Sequence, residues 1–175
     1  MERLTSRLRL LALSVDELRC YLQDPTLLAL QLGVRLSRDV LTERVQRAIA
    51  IKIERMQDVP EDLHPWYTYW LVIVQAESFG AGLIGFKGAP DVDGLVEIGY
   101  GIDPHVQRHG YMSEALRAMT EWAFLHEACH GITATRVLRT NLASQHVLEN
   151  CGFRLTSEDE DNLDYLLQKG PGSAK

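Results

Sequence analysis

Two segments hold residue types able to do chemistry at a useful spacing. Ile102-Asp103-Pro104-His105-Val106-Gln107-Arg108-His109-Gly110-Tyr111-Met112-Ser113 leaves a strand pattern and enters a helix pattern. The first amides of a helix lack internal partners and sit at the positive end of its dipole. Such a junction docks an anion without a basic patch. Gly110 permits close approach of the backbone, and Arg108 adds a charge-assisted contact. The second segment runs from Asn141-Leu142-Ala143-Ser144 to Cys151-Gly152-Phe153. It pairs a good helix N-cap, Asn141, with a glycine able to end the helix in left-handed backbone. A third string, His126-Glu127-Ala128-Cys129-His130, spells the HExxH pattern of zinc hydrolases, with Glu149 at a third-ligand interval. Gly131 ends that helix directly after His130. Histidines there suit the negative end of the dipole, so no metal is expected.

The elements that must position these residues read as mixed α/β. Leu8 to Leu13 predicts a strand, and Ser14 with Glu17 predicts a capping box opening a short helix that stops near Asp24-Pro25. Apolar residues at three- and four-residue spacing predict an amphipathic helix over Ser37 to Gln57. A proline-interrupted loop, Val59 to Trp66, leads into an antiparallel hairpin, Tyr69 to Gln75 and Ala81 to Lys87. Asp91-Val92-Asp93-Gly94 turns the chain into a strand at Leu95 to Ile102. A long helix at Ser113 to His130, a strand at Ile132 to Val137, a helix at Leu142 to Asn150 and strands at Phe153 to Thr156 and Asp164 to Gln168 follow. The order predicts a mostly antiparallel first half and one strand-helix-strand crossover. One domain is expected over residues 8–169, with a flexible tail at 170–175.

Composition narrows the function class. In 175 residues, 18 Lys and Arg face 24 Asp and Glu, a formal charge of −6 that argues against a nucleic-acid groove. Cys20, Cys129 and Cys151 are odd in number and set among apolar residues, which suits reduced thiols in the cytoplasm. Arg7 and Arg9 interrupt the only leader-like stretch, and no run nears the roughly 18 apolar residues of a membrane span. A soluble, cytoplasmic protein without nucleic-acid or membrane partners is expected.

Together the two segments resemble the GNAT superfamily of acyl-CoA-dependent N-acetyltransferases. Gln107 to Met112 matches the family's pyrophosphate loop, Q/R-x-x-G-x-G/A, with Met112 in place of the final small residue. Asn141, Ser144 and Gly152-Phe153 match its second motif. The form with Ser is similar to the ribosomal-protein N-terminal (Rim-type) acetyltransferases. The resemblance implies a central, mostly antiparallel twisted sheet of about six to seven strands, flanked by about four helices, with a splayed strand pair holding the cofactor.

It implies acetyl-CoA between the strands at Leu95 to Ile102 and Ile132 to Val137. Gly101, Ile102, Gln107, Arg108, His109, Gly110, Tyr111, Met112, Ser113 and Asn141 would bind it, and the pantetheine arm would extend the first strand. An amine attacks through its neutral lone pair, whereas a free α-amino group titrates at about 8. Glu97, on the strand face shared with Gly99 and Gly101, is the candidate base; the alternative is a solvated sheet glutamate. Many relatives protonate the leaving thiolate with a tyrosine where this chain has Leu148, so Ser144 is the candidate donor. The alternative for Ser144 is a hydrogen bond within its own helical turn. Trp66 and Tyr67, with Tyr69, would line the amine entrance, or else pack in the core. The acceptor would be a protein N-terminus or a small-molecule amine, and a homodimer is an admissible assembly. A non-catalytic acyl-CoA-binding module is the rival reading, separated by turnover.

Overall fold

Trp70–Val74 is buried at every residue because the strand lies between two cores. Alternation sends Trp70, Val72 and Val74 to one side and Leu71 and Ile73 to the other. The computed structural model describes residues 1–170; the expected tail lies outside the described residues beyond Gly170. In chain order the strands are β1 (Glu2–Leu4), β2 (Leu8–Ala12), β3 (Arg35–Leu36), β4 (Trp70–Val74), β5 (Phe79–Phe86), β6 (Leu95–Ile102), β7 (Gly131–Leu138), β8 (Arg154–Glu158) and β9 (Asn162–Gln168). The helices are α1 (Val15–Gln23), α2 (Pro25–Leu32), α3 (Glu43–Gln57), α4 (His64–Tyr67), α5 (Tyr111–Phe124) and α6 (Leu142–Asn150). The sheet runs β1-β2-β4-β5-β6-β7-β9-β8, with β3 added beside β5. All pairings are antiparallel except β3 with β5 and β6 with β7.

One face of the sheet packs against α5, whose Ala115, Leu116, Met119 and Trp122 are buried, with Leu148 of α6 and Trp66 of α4. The other packs against Leu18 and Tyr21 of α1, Leu28 of α2, and Ile49 and Met56 of α3. Mixed α/β architecture and the single crossover are as expected. Nine strands exceed the six or seven predicted, since β1 and β3 are too short to show a period.

Several boundaries differ for identifiable reasons. Asp24-Pro25 starts a helix as well as stopping one: Asp24 Oδ1 accepts from the amides of Thr26 and Leu27, and Pro25 takes the first turn of α2, where no amide partner is required. Thr42 caps α3 through Val45 N, so the helix begins at Glu43 and Ser37 to Leu41 is extended or irregular. The loop expected at Val59 to Trp66 contains a 3-10 turn at Glu61–Leu63 and the short α4. Finally, α5 ends at Phe124, well before His130. No helix of the described residues is long and apolar enough to cross a membrane.

Candidate functional site

The sheet opens where β6 meets β7. These strands pair only from Leu95 to Glu97 against Gly131 to Thr133, whereas β6 stays paired with β5 as far as Ile102. Beyond Glu97 the β7-facing edge of β6 is therefore unpaired backbone, the kind of edge that accepts an extended ligand. Leading out of β6, the buried Asp103 accepts His105 N at 2.7 Å and so starts a 3-10 turn over Pro104–Val106. Gln107 to Gly110 follows, with Arg108 at φ +66° and Gly110 at φ +77°, both left-handed. Left-handed backbone at two nearby positions re-aims the loop's amides just ahead of the start of α5, where the helix's own first amides lack internal partners.

A cleft of about 790 Å³ lies over this junction, between the loop and the first turns of α5 and α6. Of the residues expected to bind cofactor, Gly101, Ile102, Gln107, Arg108, Gly110, Tyr111, Met112, Ser113 and Asn141 line it, and so does Ser144. Met112 is also 5% exposed and packs in the core, which is how a bulky side chain fits where the family has a small residue. His109 is different. Its ring stacks on Tyr111 at 5.6 Å, and its Nδ1 approaches the carbonyls of Val106 and Gln107 at 3.2 and 2.9 Å, so it braces the loop's own backbone.

Ser144 and Asn141 sit at the start of α6. Asn141 Oδ1 accepts from Ser144 N at 3.1 Å, the N-cap bond expected of it. Ser144 Oγ stands 2.9 Å from the hydroxyl of Tyr100, which also lines the cleft. Burial holds the Tyr100 phenol well above its ordinary pKa, outweighing the Ser144 bond, so the ring is a neutral hydroxyl at physiological pH. Sequence reasoning placed Tyr100 on the strand face away from Glu97 but had no signal for its partner on a helix far along the chain.

Glu97 occupies the vertex where β6 and β7 part. Its Oε1 accepts from Lys87 Nζ and from Thr135 Oγ1, both at 2.5 Å, the latter across the gap between the strands. Glu97 does not line the cleft over α5. Of the aromatics, Trp66 is 3% exposed, its ring against Phe86, Trp122 and His126, a core position rather than an entrance. Tyr67 is half-buried and packs on both cores.

Beneath this region Lys52 of α3 is buried, its Nζ donating to the carbonyls of Tyr67, Thr68 and Phe86 at 3.0, 3.2 and 2.5 Å. Burial, and then the Arg55 and Lys87 cations, pushes its amine down to about 7. Arg55 Nη1 holds the Lys87 carbonyl at 2.9 Å, so α3 anchors the end of β5 from which Lys87 reaches Glu97. The HExxH string has no helix to carry it: α5 stops at Phe124, His126 Nδ1 donates to Trp122 O at 3.0 Å, and its ring packs edge-on against Trp122.

The sequence matches the acetyltransferase (GNAT) domain over residues 7–154. It is 35% identical over 92 residues to the uncharacterized N-acetyltransferase YjdG of Bacillus subtilis (strain 168), a match covering 53% of this chain and 54% of that protein. The chain thus spans about half the length of the curated relative it matches. Among solved structures, the fold is similar to that of a GNAT-family acetyltransferase from Bacillus anthracis, with TM-score 0.64, 21% identity, and coverage of 96% of this chain and 98% of that one. It is also similar to RimL, a ribosomal L7/L12 alpha-N-protein acetyltransferase in complex with coenzyme A, with TM-score 0.65, 20% identity, and coverage of 95% and 96%. These two likenesses are ones of fold; the domain match, running from β2 through the parted strands to β8, carries the assignment that this chain belongs to the GNAT acetyltransferase family.

Proposed function

We propose that this chain, as one domain over residues 8–169, transfers an acetyl group from acetyl-CoA to a primary amine, either a protein N-terminus or a small-molecule amine. The carrying observation is the cleft itself: parted strands leading to a helix start whose loop holds two left-handed residues. The residues present fit the cofactor. A Cβ built on Gly99 or Gly101 would meet nothing within 4 Å, so the β6 edge is open to a close neighbour. The amides of Arg108 to Ser113 would take the diphosphate, with the Arg108 guanidinium beside them. When bound, acetyl-CoA supplies the acyl group as an activated thioester.

The chain's own residues do the rest. Glu97 keeps Oε2 without a hydrogen-bond partner among the described residues, and this oxygen is the acceptor we assign to the amine proton, directly or through one water. Lys87 and Thr135 fix the carboxylate through Oε1. Ser144 relays a proton from solvent to the departing thiolate, taking one up as it gives its own, with its hydroxyl beside the neutral Tyr100 phenol. Asn141 acts by capping α6 and so placing Ser144. Free thiols at Cys20, Cys129 and Cys151 suit a reducing compartment, and the cytoplasm is the location we assign.

Calorimetric titration with coenzyme A, followed by thiol release from acetyl-CoA across a panel of amines, tests this. Expected are saturable uptake and release with at least one amine, together with a product heavier by one acetyl group. Uptake with no release would favour a non-catalytic module, and no uptake would overturn the reading of the cleft.

A further inference from the structure

The diphosphate loop is held from behind by residues more than a hundred positions away. Thr5, Ser6 and Arg7 form the turn between β1 and β2 and converge on the Glu114 carboxylate in the first turns of α5. Thr5 Oγ1, Ser6 Oγ and Arg7 N donate to Oε1 at 2.6, 3.1 and 3.0 Å, and Arg7 Nε donates to Oε2 at 2.6 Å. Partial burial alone would raise the Glu114 pKa, but the bonds from Thr5, Arg7 and Ser6 hold it below the ordinary value, so it stays ionised. The same guanidinium donates from Nη1 to the His109 carbonyl at 2.9 Å and lies 4.8 Å from the Tyr111 ring centroid. Arg7 therefore grips the residues on both sides of Gly110.

Charge gives this contact a second consequence. A carboxylate near the start of α5 is favourable to the helix but repels an anion docking on the same amides. Arg7 pairs with that carboxylate at close range and cancels its field beside the cleft. We propose that Arg7 is a positioning residue for the cofactor: it holds loop 107–110 with its amides turned to the cleft and neutralises Glu114 next to the diphosphate. The proposal rests on the reading of the cleft as a coenzyme A site.

Three variants test it: Arg7→Ala, Arg7→Lys, and Arg7→Ala combined with Glu114→Gln. Arg7→Ala is expected to raise the Kd for coenzyme A about tenfold, the loss of roughly one charge-assisted contact, with kcat at saturation within about twofold. Removing the bared carboxylate as well should recover part of that affinity, although it breaks more bonds; a purely structural role predicts further loss instead. Arg7→Lys keeps the charge without the fork that spans Glu114 and His109, so an intermediate Kd is expected. It also serves should Arg7→Ala fail to fold. Amide exchange over residues 107–113 in the ligand-free protein is independent of the cofactor. Faster exchange in the Arg7 variants supports the strap. Unchanged exchange, unchanged Kd, or a double variant weaker than Arg7→Ala overturns it. A wild-type protein that takes up no coenzyme A would overturn the functional reading instead, while exchange would still decide whether the strap holds the loop.

Discussion

Gly110→Ala separates backbone conformation from side-chain bulk at the anion site. Gly110 has φ +77° and ψ 3°, a left-handed conformation that costs an L side chain about 1–2 kcal/mol. Bulk adds little, because a Cβ there would stand 3.4 Å from Arg7 Nη2, an ordinary van der Waals separation. The strain has two outlets. If the fold keeps the loop, the cost appears as stability, a fall of about 2–8 °C in Tm for a chain of this size. If the loop relaxes, the first amides of α5 turn away, and the same energy appears as roughly 5- to 30-fold weaker coenzyme A binding. Titration calorimetry and thermal unfolding on the same samples read both outlets. Gly110→Asn is the control, since Asn enters left-handed backbone far more readily than Ala although it is larger. Its losses should be the smaller of the two. An alanine variant with wild-type affinity and wild-type Tm would refute the argument, and an asparagine variant worse than alanine would make bulk the determinant.

Three other perturbations follow from the geometry. Lys52→Met strands the carbonyls of Tyr67, Thr68 and Phe86, a net loss of about 3 kcal/mol after relief of the buried charge, or about 6–12 °C in Tm. With the folded amine at about 7 and the unfolded one at its ordinary 10.5, the unfolded chain binds more protons between these values, so wild-type stability gains a component that rises with pH there. Denaturant titrations at several pH values should show that component missing from the Lys52→Met variant; parallel curves would contradict it. Tyr100→Phe should lower kcat about tenfold with little change in the KM for acetyl-CoA, and adding it to Ser144→Ala should cost nothing more, because the two hydroxyls act as a unit; additive losses would assign them separate roles. Glu97→Gln should lower kcat at least about 100-fold near neutral pH and recover toward alkaline pH, where the amine loses its proton unaided; a pH-independent defect would remove Glu97 as the base.

What the sequence made legible was local. The boundaries of β6 and α6 follow from signals within a few residues: alternation after the Asp91–Gly94 turn for one, Asn141 and Gly152 for the other. The end of α5 did not follow, because apolar spacing continues past it. In a continuing helix His126 N would bond Trp122 O. Instead it bonds Ala123 O, and the imidazole takes the Trp122 carbonyl, tightening the last turn and ending the helix. Strand alternation sets Glu97 opposite Val96 and Ile98, which are buried in the core, yet nothing in the spacing pairs it with Lys87 and Thr135, or Tyr100 with Ser144. Trp66 has the composition of a substrate contact and the surroundings of a core residue. Such pairings are made by topology, which joins segments that carry no mark of each other.

The acidic balance also needs the structure before it can be weighed. A net charge of −6 argues against long polyanions, whose binding grows with the number of phosphates neutralised. A single diphosphate is decided within about one Debye length, roughly 8 Å at physiological ionic strength. The helix amides and Arg108 there favour an anion, and the carboxylate in the first turn of α5, Glu114, is paired with Arg7. Most of the chain's negative charge lies elsewhere and is screened. An acidic protein can thus hold an anionic cofactor by oriented backbone dipoles, provided the carboxylate nearest the helix start is neutralised. That condition is local, so a composition that argues against a nucleic-acid groove leaves the proposed coenzyme A site to a handful of groups around Gly110.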